Sequence, residues 1–279
     1  MKKQLGLGYS TCPNDTFVFH GMVHGLVSLE DIDFAVTLKD VEALNQDARL
    51  GLLDVSKLSF AALGHLGEAY GLLRSGAALG RGCGPLVISR PGADLGRLGR
   101  VPVAVPGLWT TANLLLGMYV STLPKVVALT FDEIMPAVIR GDYEFGVIIH
   151  EGRFTYPDYG LVKQVDLGQW WEESTGLPIP LGGIAIKRAR SRETAAKVES
   201  LLRRSVEYAH THPEASRAYV KKHAQEMADD VIANHIDLYV NEFTLDVGRE
   251  GEAAVREFFA IGARKGLLPG LDAPIFACP

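Results

Sequence analysis

Residues 5–23 read LGLGYSTCPNDTFVFHGMV, and the order of residue types in this stretch decides the fold. Leu5 to Tyr9 reads as a strand, Ser10-Thr11-Cys12-Pro13-Asn14-Asp15 as a polar turn, and Thr16 to Val23 as an apolar helical run. Strand, polar loop and helix in that order recur at Val101 to Val105, where Pro106-Gly107-Leu108-Trp109-Thr110-Thr111 supplies the loop and Ala112 to Val120 the helix.

A second unit also occurs twice. Its first copy is the helix Val41 to Leu50, a turn at Gly51, the strand Leu52 to Val55 and the polar end Ser56-Lys57-Leu58-Ser59. In the second copy Phe131, Ile134, Met135, Val138 and Ile139 fall at i, i+3, i+4, i+7 and i+8, which is one face of a helix. Arg140-Gly141 closes that helix, and the strand Phe145 to Ile149 ends in His150-Glu151. Each half of the chain thus carries the same two units in the same order, as two α/β lobes of like topology would.

Ligands of open α/β sheets bind at the carboxyl ends of strands, and all four polar segments sit at such ends. The expected fold is therefore α/β and two-lobed, like a type II periplasmic binding protein, with a ligand cleft between the lobes. Gly84 to Ser89 and Leu181 to Ile186 read as the two crossings. Residues 1–96 and 181–279 then make a discontinuous first lobe, and residues 97–180 an inserted second lobe. The helical stretches Glu193 to His210, Glu214 to His223, Asp229 to Tyr239 and Glu252 to Lys265 belong to the first lobe as its outer layer.

A chain of 279 residues is long enough for two such lobes, each with its own core. With 47% hydrophobic and 22% charged residues it is neither disordered nor a coiled coil. A net charge of -5 without a basic block gives no footprint for nucleic acid or an acidic membrane surface, which points to a small-molecule partner. Polar residues interrupt the first apolar run too early for a signal peptide, and no segment has the length of a membrane helix, so a cytoplasmic protein is expected. No obligate protein partner is evident.

The cysteines at 12, 83 and 278 have neither an even count nor a metal-site spacing, and Cys12 reads as a small buried thiol rather than a nucleophile. His20 and His24 lack a third ligand, so no metal is expected. The glycine-rich run Gly76 to Gly84 is followed by a strand and lacks the Gly-Lys-Ser/Thr of a phosphate-binding loop. Close backbone approach at a hinge accounts for it, and no cofactor is expected.

Among residues with chemistry to offer, His150 lies where a strand opens into the cleft and can take up a proton near neutral pH. Ser59 and the pair Thr110-Thr111 open helical runs and place hydroxyls beside free backbone N–H groups, a setting that suits a carboxylate. Lys57 stands beside the first of these. Asn14 and Asp15 are capping residues or contacts to ligand hydroxyls, and Asn45 reads as part of a solvated helix face.

Several stretches together resemble one family: Tyr9 to Phe17, Lys57-Leu58-Ser59, Arg74-Ser75-Gly76 with Ala78 to Gly82, Pro106-Gly107 with Thr110-Thr111-Ala112, and Ile148 to Glu151 with Arg153 to Tyr156. This combination is similar to the 1,4-dihydroxy-6-naphthoate synthase family of the futalosine route to menaquinone, over nearly the whole chain. The resemblance implies a lyase that converts cyclic dehypoxanthinyl futalosine to 1,4-dihydroxy-6-naphthoate and releases the sugar-derived fragment. It implies His150 as the base, substrate contacts at Lys57, Leu58, Ser59, Thr111 and Ala112 beside the Thr110 read from the helix start, and polar positions near the cleft at Asp15 and Asn45. Leu108 and Trp109 depart from the more polar or basic residues expected before the threonine pair. Two other functions fit the same architecture: a solute-binding receptor, and the chorismate dehydratase of the same pathway.

Overall fold

The computed structural model describes residues 3–224 and 228–278, and among them the strands form two sheets. The first contains β1 (Lys3–Tyr9), β2 (Ile32–Leu38), β3 (Val55–Ser59), β4 (Tyr70–Leu72), β5 (Ala78–Gly80) and, much later in the chain, β11 (Ile179–Lys187). Their order is β2-β1-β3-β11-β4, with β5 also paired to β11. The second sheet takes the intervening strands β6 (Leu86–Ser89), β7 (Val103–Val105), β8 (Val126–Ala128), β9 (Phe145–Ile148) and β10 (Val162–Asp166), in the order β10-β6-β9-β7-β8.

In each sheet a parallel core is extended by antiparallel strands. β1 runs parallel to β2 and β3, and β7 parallel to β8 and β9. β11 is antiparallel to β3, β4 and β5, and β6 is antiparallel to β9 and β10. The carboxyl ends of β1, β7 and β9 lead into three of the polar segments singled out in the sequence, and the fourth, Ser56 to Ser59, lies within β3.

The helices follow in chain order. Around the first sheet are α1 (Pro13–Val23), α2 (Val41–Arg49) and α3 (Phe60–Leu66). With the second sheet come α4 (Thr111–Tyr119), α5 (Phe131–Arg140), α6 (Gly152–Thr155) and α7 (Leu167–Thr175). The C-terminal part is α8 (Arg192–Thr211), α9 (Arg217–His223), α10 (Asp229–Tyr239), α11 (Glu242–Leu245) and α12 (Gly248–Arg264). α5 ends as its sequence dictates, at Gly141 in the left-handed region with φ 83°. Its buried stripe is Ile134, Met135 and Val138, each worth about 1.5–3 kcal/mol of apolar burial, while Ile139 turns outward.

Period-two alternation gives the second sheet two buried faces. Leu86, Ile88 and Ala104 pack with Ile134 and Val138 of α5, whereas Val87, Val103 and Val147 face a core that also holds Leu58, Phe60 and Phe258. The other face of the first sheet packs Leu5, Leu7 and Ile186 against α1 and α8.

Three sequence expectations shift. Residues 52–55 were read as a strand with a polar end, but β3 is Val55–Ser59 and Leu52 is exposed. The polar residues are the strand itself, tolerated because β1 and β11 flank it and its lysine is paired. α1 starts three residues before Thr16, with Pro13 at its first position, so Asn14 and Asp15 belong to its first turn. Leu86–Ser89, expected as a crossing, is a full member of the second sheet, so that sheet takes chain from before residue 97. The chain passes between sheets at Gly84, where a Cβ would come within 2.3 Å of the Cα of Gly168. Only glycine permits that backbone approach.

Candidate active site

The polar segments after β1, β7 and β9 and the polar strand β3 converge with α10 on one cavity. It takes in about 630 Å³ of atom-free space, open solvent at its mouth included. Of the residues expected from sequence, Asp15, Lys57, Ser59, Thr110, Thr111, Ala112 and His150 line it.

Strand alternation decides the wall that β3 presents. Lys57 and Ser59 face the cavity, while Leu58 between them packs into the apolar core and Asn45 stands behind Ser59. Asn45 is fully buried, contrary to a solvated face: its Oδ1 accepts from the Ser59 N–H at 3.0 Å and its Nδ2 donates to Ser59 Oγ at 3.2 Å. Because Ser59 Oγ already accepts there, its own proton is left for the cavity.

Protein groups satisfy the Asp15 carboxylate on both oxygens. Its Oδ2 accepts from Ser10 N at 3.1 Å and Ser10 Oγ at 2.7 Å, and its Oδ1 from Asn14 Nδ2 at 2.9 Å and Lys57 Nζ at 2.7 Å. Asp15 and Lys57 form a buried ion pair, with side chains 3% and 7% exposed. Such a pair persists because every lone pair and the cation are matched at once.

His150 projects from the end of β9 with a left-handed backbone, φ 55°, an unfavoured conformation for a residue bearing a Cβ and one that clusters at functional sites. Its ring meets the edge of Phe131 at 5.3 Å and stacks on His235 at 6.3 Å. Cys12 Sγ lies 3.3 Å from its Nδ1 and 3.8 Å from its Nε2. Desolvation lowers the imidazole to about 4; the Asp15 carboxylate opposes the shift and the Lys57 ammonium adds to it. The ring is therefore neutral at physiological pH. The Cys12 thiol is buried and pushed well above its usual range, chiefly by desolvation and then by Glu151 and Asp15. It is the inert thiol expected, yet it touches the one histidine expected to do chemistry.

The threonine pair divides its work. Thr110 caps α4, its Oγ1 accepting from Asn113 N at 3.3 Å. Thr111 Oγ1 donates to Leu181 O at 2.7 Å and accepts from Ala61 N at 3.3 Å, so its hydroxyl is spent on the scaffold. The first-turn N–H groups of Thr111 and Ala112 have no intrahelical acceptor and remain anion-seeking donors. Leu108 and Trp109 leave the cavity. Leu108 is exposed, and the Trp109 ring sits 4.8 Å from that of His65 and under Arg49.

Sequence reasoning missed His235, Tyr239, Cys83 and Val41, all of which line the cavity. A signal for His235 existed: Ile232, His235, Ile236 and Tyr239 recur at helical spacing, which places the histidine on the buried stripe of α10. Its destination in the cleft could not be read from that spacing. Among the described residues no cluster of three or more His, Cys, Asp or Glu side chains could hold a metal ion, and no helix is long and apolar enough to cross a membrane.

The two-lobed fold expected from sequence matches solved structures. The chain superposes on the periplasmic aliphatic sulphonate binding protein of Escherichia coli with a TM-score of 0.67 at 12% identity, covering 97% of this chain and 90% of that one. A Candida albicans protein described as having the generic periplasmic binding protein fold gives 0.71 at 10% identity, covering 97% and 92%. A crystal structure from Archaeoglobus fulgidus is nearer, with a TM-score of 0.88 at 32% identity over 95% of this chain and 98% of that one. In sequence, the chain is 48% identical to a 1,4-dihydroxy-6-naphthoate synthase of Thermus thermophilus over 98% of both chains. It is 46% identical to another of Streptomyces coelicolor, over 99% of this chain and 98% of that one. Residues 5–264 match the family model described as menaquinone biosynthesis, and the chain belongs to that family.

Proposed function

We infer that this chain is a 1,4-dihydroxy-6-naphthoate synthase, a lyase of menaquinone biosynthesis, as its two relatives are named. We propose that cyclic dehypoxanthinyl futalosine is its substrate and that His150 takes the proton that starts the elimination. The observation that carries this reading is an imidazole held in the cavity wall by Cys12, Phe131 and His235, in the same cavity as the Ser59 hydroxyl and the start of α4.

In this reading the ligand carboxylate lies against the Ser59 hydroxyl and the first-turn N–H groups of α4, with the Lys57 ammonium close by. Neutral donors and a helix start hold an anion there, and the buried Asp15 carboxylate is offset by its pairing with Lys57. A bound carboxylate also raises the basicity of His150, because a nearby anion favours imidazolium. The proposed tautomer carries its proton on Nδ1, facing Cys12 Sγ, which leaves the Nε2 lone pair for the substrate. Asp15 has all its lone pairs engaged, so it orients Lys57 and Asn14 instead of competing as a base.

Each sheet heads one lobe in this proposal, and substrate enters between them. The protein acts on a small molecule, and a cytoplasmic location suits a biosynthetic enzyme of this kind. Incubation of the purified protein with cyclic dehypoxanthinyl futalosine, and separately with chorismate, followed by chromatography, tests the assignment. Formation of 1,4-dihydroxy-6-naphthoate from the first supports it; dehydration of chorismate alone, or binding without turnover, overturns it.

A further inference from the structure

We propose that Nδ1 of His235 accepts a hydrogen bond from a ligand hydroxyl, and that through it the site tells a hydroxylated aromatic acid from its deoxy counterpart. The inference rests on the product assigned above, which carries two ring hydroxyls as well as a carboxylate.

The argument starts at Asp15, whose carboxylate can only accept. The atom of Asn14 that lies 2.9 Å from Asp15 Oδ1 is therefore the amide nitrogen, which fixes the direction of that side chain. Asn14 Oδ1 then faces His235 Nε2 at 2.9 Å, and a carbonyl oxygen requires a donor there. His235 must carry its proton on Nε2. In a neutral ring this leaves Nδ1 as a bare acceptor. The ring stays neutral because desolvation lowers its basicity well below the usual value, and His150 and Lys57 act in the same direction.

His235 is completely buried, and among the described residues no donor reaches its Nδ1. Buried acceptors without a partner are rare and unfavourable. His235 lines the cavity with its Nδ1 just beneath the surface, closed to water as the ring stands, so a ligand hydroxyl supplies what the protein lacks once the surrounding side chains shift slightly. A lone pair repels a carboxylate and attracts an O–H, so the imidazole wall and the donor wall at Ser59 and α4 take opposite ends of the same ligand. The chain Lys57, Asp15, Asn14, His235 thereby fixes which end is which: the buried cation sets the carboxylate, the carboxylate sets the amide, and the amide sets the tautomer.

The test compares 1,4-dihydroxy-6-naphthoate with 2-naphthoate, which lacks both hydroxyls, by anaerobic titration calorimetry on wild type and His235→Gln. Glutamine places an amide nitrogen where Nε2 was, so the bond to Asn14 survives while the Nδ1 acceptor is lost. Wild type is expected to prefer the hydroxylated acid by about 10- to 100-fold, the range for one buried hydrogen bond left unmade. The variant is expected to lose most of that preference with its 2-naphthoate affinity unchanged. A variant that keeps the full preference, or a wild type that binds both acids equally, overturns the inference and leaves the proposed activity standing. A wild type that binds neither acid and forms no naphthoate overturns the activity, and the inference falls with it. Should the variant fail to fold, ¹⁵N spectra of histidine-labelled wild type decide. The Nδ1 resonance of His235 moves on adding the hydroxylated acid and not the other, and a resonance unmoved by both overturns the inference.

Discussion

The sulfur of Cys12 lies 3.3 Å from Nδ1 of His150, joining the loop after β1 to the end of β9, one from each sheet. The thiol is protonated and inert, so its part is to hold a ring. Replacing Cys12→Ala is expected to lower kcat about fivefold, the effect of one modest hydrogen bond, with product affinity little changed. Steady-state kinetics and product titration separate the two. A loss of all activity would make Cys12 a reacting group and overturn the positioning role.

His150→Asn removes the proposed base and keeps a residue that tolerates the left-handed backbone, φ 55°. Turnover is expected to fall by about 10²–10⁴-fold while 1,4-dihydroxy-6-naphthoate still binds. Wild-type turnover in this variant would transfer the base to another group in the cavity.

The pH dependence of kcat/KM follows from the same ring. A base works when unprotonated, and burial lowers His150 to about 4 in the free enzyme. The acid limb is therefore expected near pH 4, well below the value of about 6.5 for an unperturbed histidine. The rate stays flat through neutral pH and is lost only as pH falls through the lowered value. An acid limb near 6.5 would show that the imidazole is solvated in the free enzyme.

Lys57→Met leaves the Asp15 carboxylate buried with donors only from Ser10 and Asn14, and is expected to destabilise the fold by about 3–5 kcal/mol. Adding Asp15→Asn removes the uncompensated charge and should restore part of that loss. Denaturant unfolding of the single and double variants measures the difference, and strictly additive destabilisation would speak against a coupled pair.

Ser59 and Thr111 part company in the structure. Ser59→Ala removes a hydroxyl beside the cavity and should weaken product binding by about 1–3 kcal/mol with only a small loss of stability, because Asn45 Nδ2 keeps Glu42 Oε2 and Trp109 O as acceptors. Thr111→Val removes bonds to Leu181 and Ala61 and should appear mainly as lost thermal stability. The reverse pattern would relocate the carboxylate.

One contact makes closure of the cleft testable. The Trp109 N–H donates to Glu42 Oε2 at 3.2 Å, linking α2 to the loop before α4. Gly107 admits this approach, because its φ of 143° and a Cβ site only 2.5 Å from the Glu42 side chain exclude larger residues. Glu42→Ala is expected to raise KM severalfold more than it lowers kcat, since ligand retention depends on the closed form. Small-angle scattering should show wild type contracting on product and the variant contracting less. Identical profiles with and without product would rule out closure.

How much of this was legible in the chain depends on distance along it. Leu5 to Val23 and Phe131 to His150 announce strand, loop and helix through local periodicity alone, and the polar segments at strand ends follow from that order. His150, Lys57, Ser59 and the Thr110-Thr111 pair could be named for the same reason: each lies within or one or two residues beyond such an element. What could not be read locally is whatever depends on two distant segments meeting. Leu58 leaves the site and its neighbours enter it because β3 is pinned between β1 and β11. Asn45 is buried because Ser59 and Trp109 close over it from residues 14 and 64 positions away. His235 comes from 221 positions beyond Asn14, and its tautomer is set only when Asp15, Asn14 and Lys57 are packed around it. Periodicity is a property of the backbone's own geometry and survives in the sequence; tautomer, charge state and the direction of a lone pair are properties of an environment, and only the folded chain supplies one.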